Sequence, residues 1–112
     1  VAAKYTQALN AKNIETPFVK NDRTSAWAQY SIRVQNRTEL QTKLQNLGIP
    51  TAVHYPIPLH VQECFKYLNL KEGDFPISEK VSKEIMSLPM NPYVTDEEIE
   101  FIVGSLAKEL KC

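Results

Sequence analysis

Pro56 and Pro58, in the stretch His54-Tyr55-Pro56-Ile57-Pro58-Leu59-His60, constrain the fold of this chain more than any other feature of its sequence. A proline has no backbone N–H, and two at alternate positions strip two donors from one edge of an extended segment. The stretch is therefore excluded from the middle of a sheet and must be an ordered loop or an extended edge. Strands and helices have to lie on either side of it.

Before the proline loop, the even positions Ala28, Tyr30, Ile32 and Val34 are apolar, and the odd positions Trp27, Gln29, Ser31 and Arg33 are mostly polar. That alternation predicts a strand over 26–34 with one buried face. Asn36 answered by Glu39 predicts a capped helix whose Leu40, Leu44 and Leu47 share a face, stopped by a left-handed Gly48. The β-branched pair Thr51 and Val53 predicts a short second strand leading into the loop.

After the loop, 60–68 reads as a helix, and Asp74 reads as the cap of another with Ile77, Val81 and Ile85 at i, i+4 and i+8. Met86-Ser87-Leu88 reads as a third strand, ended by Pro89. Thr95 with Glu98 forms a capping box for a last helix with an Ile99, Ile102, Val103, Leu106, Leu110 stripe. Val1 to Leu9 is helical in spacing but lacks a cap, as expected of a helix that continues from a longer polypeptide. The predicted class is α+β: a small sheet of three, or four, strands covered by helices on one side.

A chain of 112 residues is the size of a single domain. Its 13 Lys and Arg balance 13 Asp and Glu, so no net field gathers polyanions, and nucleic acid is not an expected partner. No apolar run approaches the roughly 20 residues that span a bilayer, and no basic-then-apolar leader opens the chain, so a cytoplasmic protein is expected. Cys64 and Cys112 are expected to be free thiols.

Few residues carry chemistry. His54, His60 and Cys64 lack the closely paired spacing of a structural zinc site, so no metal is expected. No serine sits in a nucleophile elbow, and Gly48, Gly73 and Gly104 are too scattered to cradle a phosphate. The acidic run Asp96-Glu97-Glu98 is explained by the first turn of a helix. His54 and Tyr55 remain. They end a strand inside a proline-stiffened loop, where side chains can be aimed at a ligand with little entropy loss; the alternative role is local packing and hydrogen bonding alone.

With Gln62, the loop resembles the HYPxPLHxQ stretch of the DegT/DnrJ/EryC1/StrS sugar aminotransferases. Ala28-Gln29-Tyr30-Ser31-Ile32-Arg33-Val34, Leu47-Gly48-Ile49-Pro50-Thr51, Ser87-Leu88-Pro89-Met90 and Thr95-Asp96-Glu97-Glu98-Ile99 extend the resemblance in the family's order. It implies a fold-type-I, aspartate-aminotransferase-like enzyme that works as a homodimer. Such an enzyme passes the amino group of L-glutamate, through pyridoxal phosphate, to a ketone on a nucleotide-linked sugar. The Pro-Ile-Pro form of the loop resembles members that aminate carbon 3, including those acting on a UDP-linked 3-keto uronic acid, and bacterial glycan or lipopolysaccharide synthesis is the implied setting.

The resemblance further implies that 1–112 is the small C-terminal domain, with 1–9 the remnant of an interdomain helix. The cofactor lysine and the residues holding pyridoxal phosphate belong to a large N-terminal domain, so no catalytic or cofactor residue is assigned here. His54 and Tyr55 are carried over as substrate-binding residues. Two other classes stay open: a stand-alone α+β ligand-binding or regulatory module, and a structural dimerisation domain. A domain parted from its neighbour should show an uncovered apolar face, with Trp27 as the candidate.

Overall fold

In the computed structural model, which describes residues 1–111, the chain is α+β. The elements run α1 (Ala2–Asn10), β1 (Tyr30–Arg33), α2 (Arg37–Asn46), two 3-10 helices (Leu59–Val61 and Glu63–Leu68), α3 (Pro76–Glu84), β2 (Ile85–Leu88) and α4 (Asp96–Glu109). β1 and β2 pair antiparallel, with Tyr30 opposite Leu88, Ser31 opposite Ser87, Ile32 opposite Met86 and Arg33 opposite Ile85. Because side chains alternate across a strand, this register puts Tyr30, Ile32, Met86 and Leu88 on one face and both serines on the other.

The first of these faces is the core. Its four residues join Tyr5 and Leu9 of α1, Leu40 and Leu44 of α2, and Ile99, Ile102, Val103 and Leu106 of α4 in one buried cluster. Each such large apolar side chain contributes about 1.5–3 kcal/mol by leaving water. The Tyr5 hydroxyl donates to the Pro89 carbonyl at 2.8 Å, and burial pushes its pKa up to about 12. Tyr30 stacks between Tyr5 and Trp27, with centroids 5.1 and 5.3 Å away.

Two termini form as the sequence predicts. In α4 the Glu98 N–H donates to Thr95 Oγ1 at 3.2 Å and the Thr95 N–H to Glu98 Oε2 at 2.8 Å, completing the capping box. Gly48, at φ +79°, ends α2: its N–H donates to the Gln45 carbonyl and that of Ile49 to the Leu44 carbonyl, both at 2.9 Å. These are the two bonds of a Schellman motif. Leu47, expected on the buried face, is exposed instead, and Ile49 beyond the left-handed turn takes its place in the core.

Other expectations are corrected. The first strand begins at Tyr30 and not at Ala26, because Trp27 lies in the left-handed region at φ 50° and breaks the extended chain. Asn36 is also left-handed and makes no side-chain cap bond; a helix cap needs extended backbone to reach the first N–H groups, and Glu39 pairs with Lys43 at 2.9 Å. Asp74 closes the preceding turn by accepting from the Lys71 N–H, leaving Phe75 as the residue before α3.

The expected helix over 60–68 is two 3-10 turns broken at Gln62, which is extended. The strand expected at 51–53 is a single bridge, Ala52 to Ser87, so the described residues hold a two-stranded sheet and not three or four strands. Pro50, two residues back on the same edge, lacks the N–H for a further rung. Three side chains fasten the α3–β2 junction. Arg33 and Gln35 donate to the Glu84 carboxylate, and Arg37 Nη1 donates to the carbonyls of Ser82 and Ile85. The Arg33 guanidinium holds the Glu84 carboxyl below the ordinary glutamate value, so this contribution to stability is present above pH 4.5 and lost as pH falls below it.

Candidate functional site

The face of the sheet away from the core carries the proline loop. Ser87 fastens it: its N–H donates to the Ala52 carbonyl at 2.8 Å, and the Ala52 N–H donates back to the Ser87 carbonyl at 3.2 Å. Two residues on, His54 Nδ1 lies 2.9 Å from Ser87 Oγ, which is 2.8 Å from Ser31 Oγ on the paired strand. Ser87 is buried, Ser31 and His54 are half-buried, and His54 Nε2 has no hydrogen-bond partner among the described residues.

Tyr55 is 70% exposed, its ring edge-on to that of His54 with centroids 5.6 Å apart. The His54–Tyr55 peptide bond is cis. Further along, the Gln62 amide donates to the Ile57 carbonyl at 3.1 Å, bracing the proline stretch from within. The two residues singled out in the sequence are thus brought together, one anchored to the sheet and the other projecting.

They stand at one end of an open groove of about 640 Å³, whose walls include Ile57, Leu59, Phe65, Leu70, Phe75 and Ile77. His54 also borders a smaller hollow of about 260 Å³ between 28–29, 50–52 and 87–90. Under the groove His60 is buried, its ring against Phe75 at 4.9 Å. His60 Nε2 is 3.6 Å from Glu79 Oε2, beyond hydrogen-bond reach, and neither atom has a hydrogen-bond partner.

His54 and Tyr55 stand out in the sequence as candidates, but Ser31 and Ser87 do not. Those serines looked like ordinary outward positions of two strands, and only the register that sets them opposite one another makes them a pair. Trp27, the candidate for an uncovered apolar face, is half-buried on Tyr30; most of the exposed large apolar side chains lie between 55 and 77, with Phe18, Leu47, Tyr93 and Phe101 exposed elsewhere.

Residues 1–107 match the DegT/DnrJ/EryC1/StrS aminotransferase family. The chain belongs to that family. A UDP-2-acetamido-2-deoxy-3-oxo-D-glucuronate aminotransferase of Pseudomonas aeruginosa is 41% identical over 106 residues, which is 95% of this chain and 29% of that protein. Among solved structures, a family member from Brucella abortus superposes with a TM-score of 0.86 at 37% identity, covering 96% of this chain and 29% of its own. NtdA of Bacillus subtilis, solved with the bound cofactor PMP, superposes at 0.79 with 28% identity, covering 99% and 27%. The chain therefore spans less than a third of the length of these relatives.

Pyridoxal phosphate needs an amine for its Schiff base and a cradle for its phosphate. The residues of this family member do not fit it by themselves. No lysine lines the groove, and every lysine is exposed. The first turn of α4 is occupied by its own acidic residues, and the three glycines stand apart. Among the described residues no group of three His, Cys, Asp or Glu could hold a metal ion, and no helix is long and apolar enough to cross a membrane. Cys64 is exposed and free; Cys112, expected to be free as well, lies outside the described residues.

Proposed function

We propose that this chain is the small C-terminal domain, 1–112, of an aminotransferase that moves an amino group from L-glutamate to the keto group of a nucleotide-linked sugar. A UDP- or dTDP-linked 3-keto sugar is the proposed acceptor, in bacterial glycan or lipopolysaccharide synthesis in the cytoplasm. Pyridoxal phosphate is held by an N-terminal domain outside these residues, from which α1 continues as an interdomain helix, and two subunits assemble as a homodimer. The similarity to a 3-oxo-glucuronate aminotransferase over 95% of the chain supports the acceptor class. The misfit between this chain's lysines and the cofactor supports the division of labour.

His54 and Tyr55 bind the acceptor. The observation that carries this assignment is the anchoring of His54 to Ser87, which leaves Nε2 and the neighbouring phenol available to sugar, phosphate or carboxylate oxygens. Their task is orientation; no proton transfer is assigned to them. The apolar groove is covered by the rest of the same polypeptide, which in relatives amounts to more than two-thirds of the length.

Steady-state kinetics of the full-length enzyme tests the assignment. Replacing His54→Ala should raise KM for the nucleotide sugar about tenfold, as loss of one hydrogen bond at ~1–1.5 kcal/mol implies, and leave KM for glutamate within about twofold. Equal changes in both constants would remove His54 from the acceptor site.

A further inference from the structure

We infer that Ser87 is a positioning residue that sets the tautomer of His54, so that Nε2 meets the acceptor substrate as an N–H donor; this rests on the reading of His54 as facing that substrate. Ser31 Oγ, Ser87 Oγ and His54 Nδ1 form a chain of two hydrogen bonds, 2.8 and 2.9 Å long, and each hydroxyl has one proton to give.

The chain can run in two directions. If Ser31 donates to Ser87 and Ser87 to Nδ1, both hydroxyl protons are used inside the protein, and the neutral ring carries its proton on Nε2. If Nδ1–H donates to Ser87 and Ser87 to Ser31, the Ser31 proton is left without an acceptor among the described side chains, and Nε2 presents only a lone pair. Ser87 is 5% exposed, so its hydroxyl has little water to turn to and keeps to these two partners. Each direction leaves one proton over: the second leaves it on Ser31, and the first leaves it on Nε2, where the oxygens of the bound acceptor substrate take it. With substrate in place the first direction is the satisfied one, and the tautomer follows from it. An Nε2–H selects acceptor oxygens, such as those of a phosphate or carboxylate, and rejects ammonium or amide N–H groups.

Ser87 also separates anchoring from orientation. Its main-chain N–H and carbonyl hold Ala52 whatever its side chain, so Ser87→Ala removes only the hydroxyl while the loop stays fastened. In the full-length enzyme that substitution should raise KM for the nucleotide sugar about three- to tenfold and leave kcat and KM for glutamate within about twofold. In a His54→Ala background it should add nothing, because a residue that acts through His54 has no effect without it.

Nitrogen-15 NMR of the histidine rings, at a pH where they are neutral, should show His54 protonated at Nε2 in the wild type and a mixture of tautomers in Ser87→Ala. A KM increase of the same size in both backgrounds, or a wild-type ring protonated at Nδ1, overturns the inference. If His54→Ala itself leaves the nucleotide-sugar KM unchanged, it is the acceptor-site reading that fails, and the ring spectrum still decides the hydrogen-bond chain separately.

Discussion

Large apolar residues gather on both sides of the β1–β2 sheet and have opposite fates. On one side Tyr5, Leu9, Leu44 and Leu106 are wholly buried, because α1, α2 and α4 each bring an apolar stripe to the same strand face. On the other, Ile57 is 53% exposed, Leu59 68% and Ile77 79%, gathered around an open groove. A contiguous apolar surface of that kind marks an interaction surface or a ligand-binding groove. The difference teaches that hydrophobic pattern identifies what ought to be buried, whereas only the presence of a partner element decides whether it is.

That contrast can be broken by substitution. The largest effect belongs to the closed side, where Leu106→Ala should cost about 2–5 kcal/mol of unfolding free energy, because it removes contacts and leaves a cavity that α1 and the sheet cannot collapse into. Chemical denaturation of the purified chain measures this. A loss below about 1 kcal/mol would mean the core is looser than its burial indicates.

Tyr5→Phe should come next, at about 1–2 kcal/mol, by stranding the Pro89 carbonyl that Tyr5 satisfies. The same residue gives an alkaline signature. Its pKa is raised from 10.0 to about 12, so its contribution is intact below pH 10 and is lost as pH climbs through 12. The wild type should therefore lose more stability than Tyr5→Phe over that interval in pH-dependent melting.

The smallest effect belongs to the open side. Leu59→Ala and Ile77→Ala should change the stability of the isolated chain by no more than about 0.5 kcal/mol, since both side chains are already in water. In the full-length protein the same substitutions should become costly. A large loss in the isolated chain would show the groove to be closed there, and the contrast between the two sides would vanish.

Much of the closed side was legible in the sequence, because its signals are local. The Thr95 and Glu98 capping box, the Gly48 stop and the alternation through Tyr30, Ile32 and Val34 each rest on bonds or faces within a few residues. The misreadings came where backbone geometry overrode residue preference. Trp27 and Asn36 are left-handed, which shortened the first strand and removed a side-chain cap.

Across the open side the sequence was less informative for a different reason. Ile77, Val81 and Ile85 have helical spacing, and a spacing pattern says nothing about what faces it. Of the candidate site, His54 and Tyr55 were legible from the rigid loop around them. The serine pair was not, since it depends on which residues β1 and β2 set opposite one another.

Hydrogen exchange, compared amide by amide between this chain alone and the full-length protein, tests most directly the idea that one side is complete and the other awaits its neighbour. Amides of β1, β2 and α4 should exchange at similar rates in both, and those of 57–77 should be protected only in the full-length protein. Equal exchange of 57–77 in the two would contradict it.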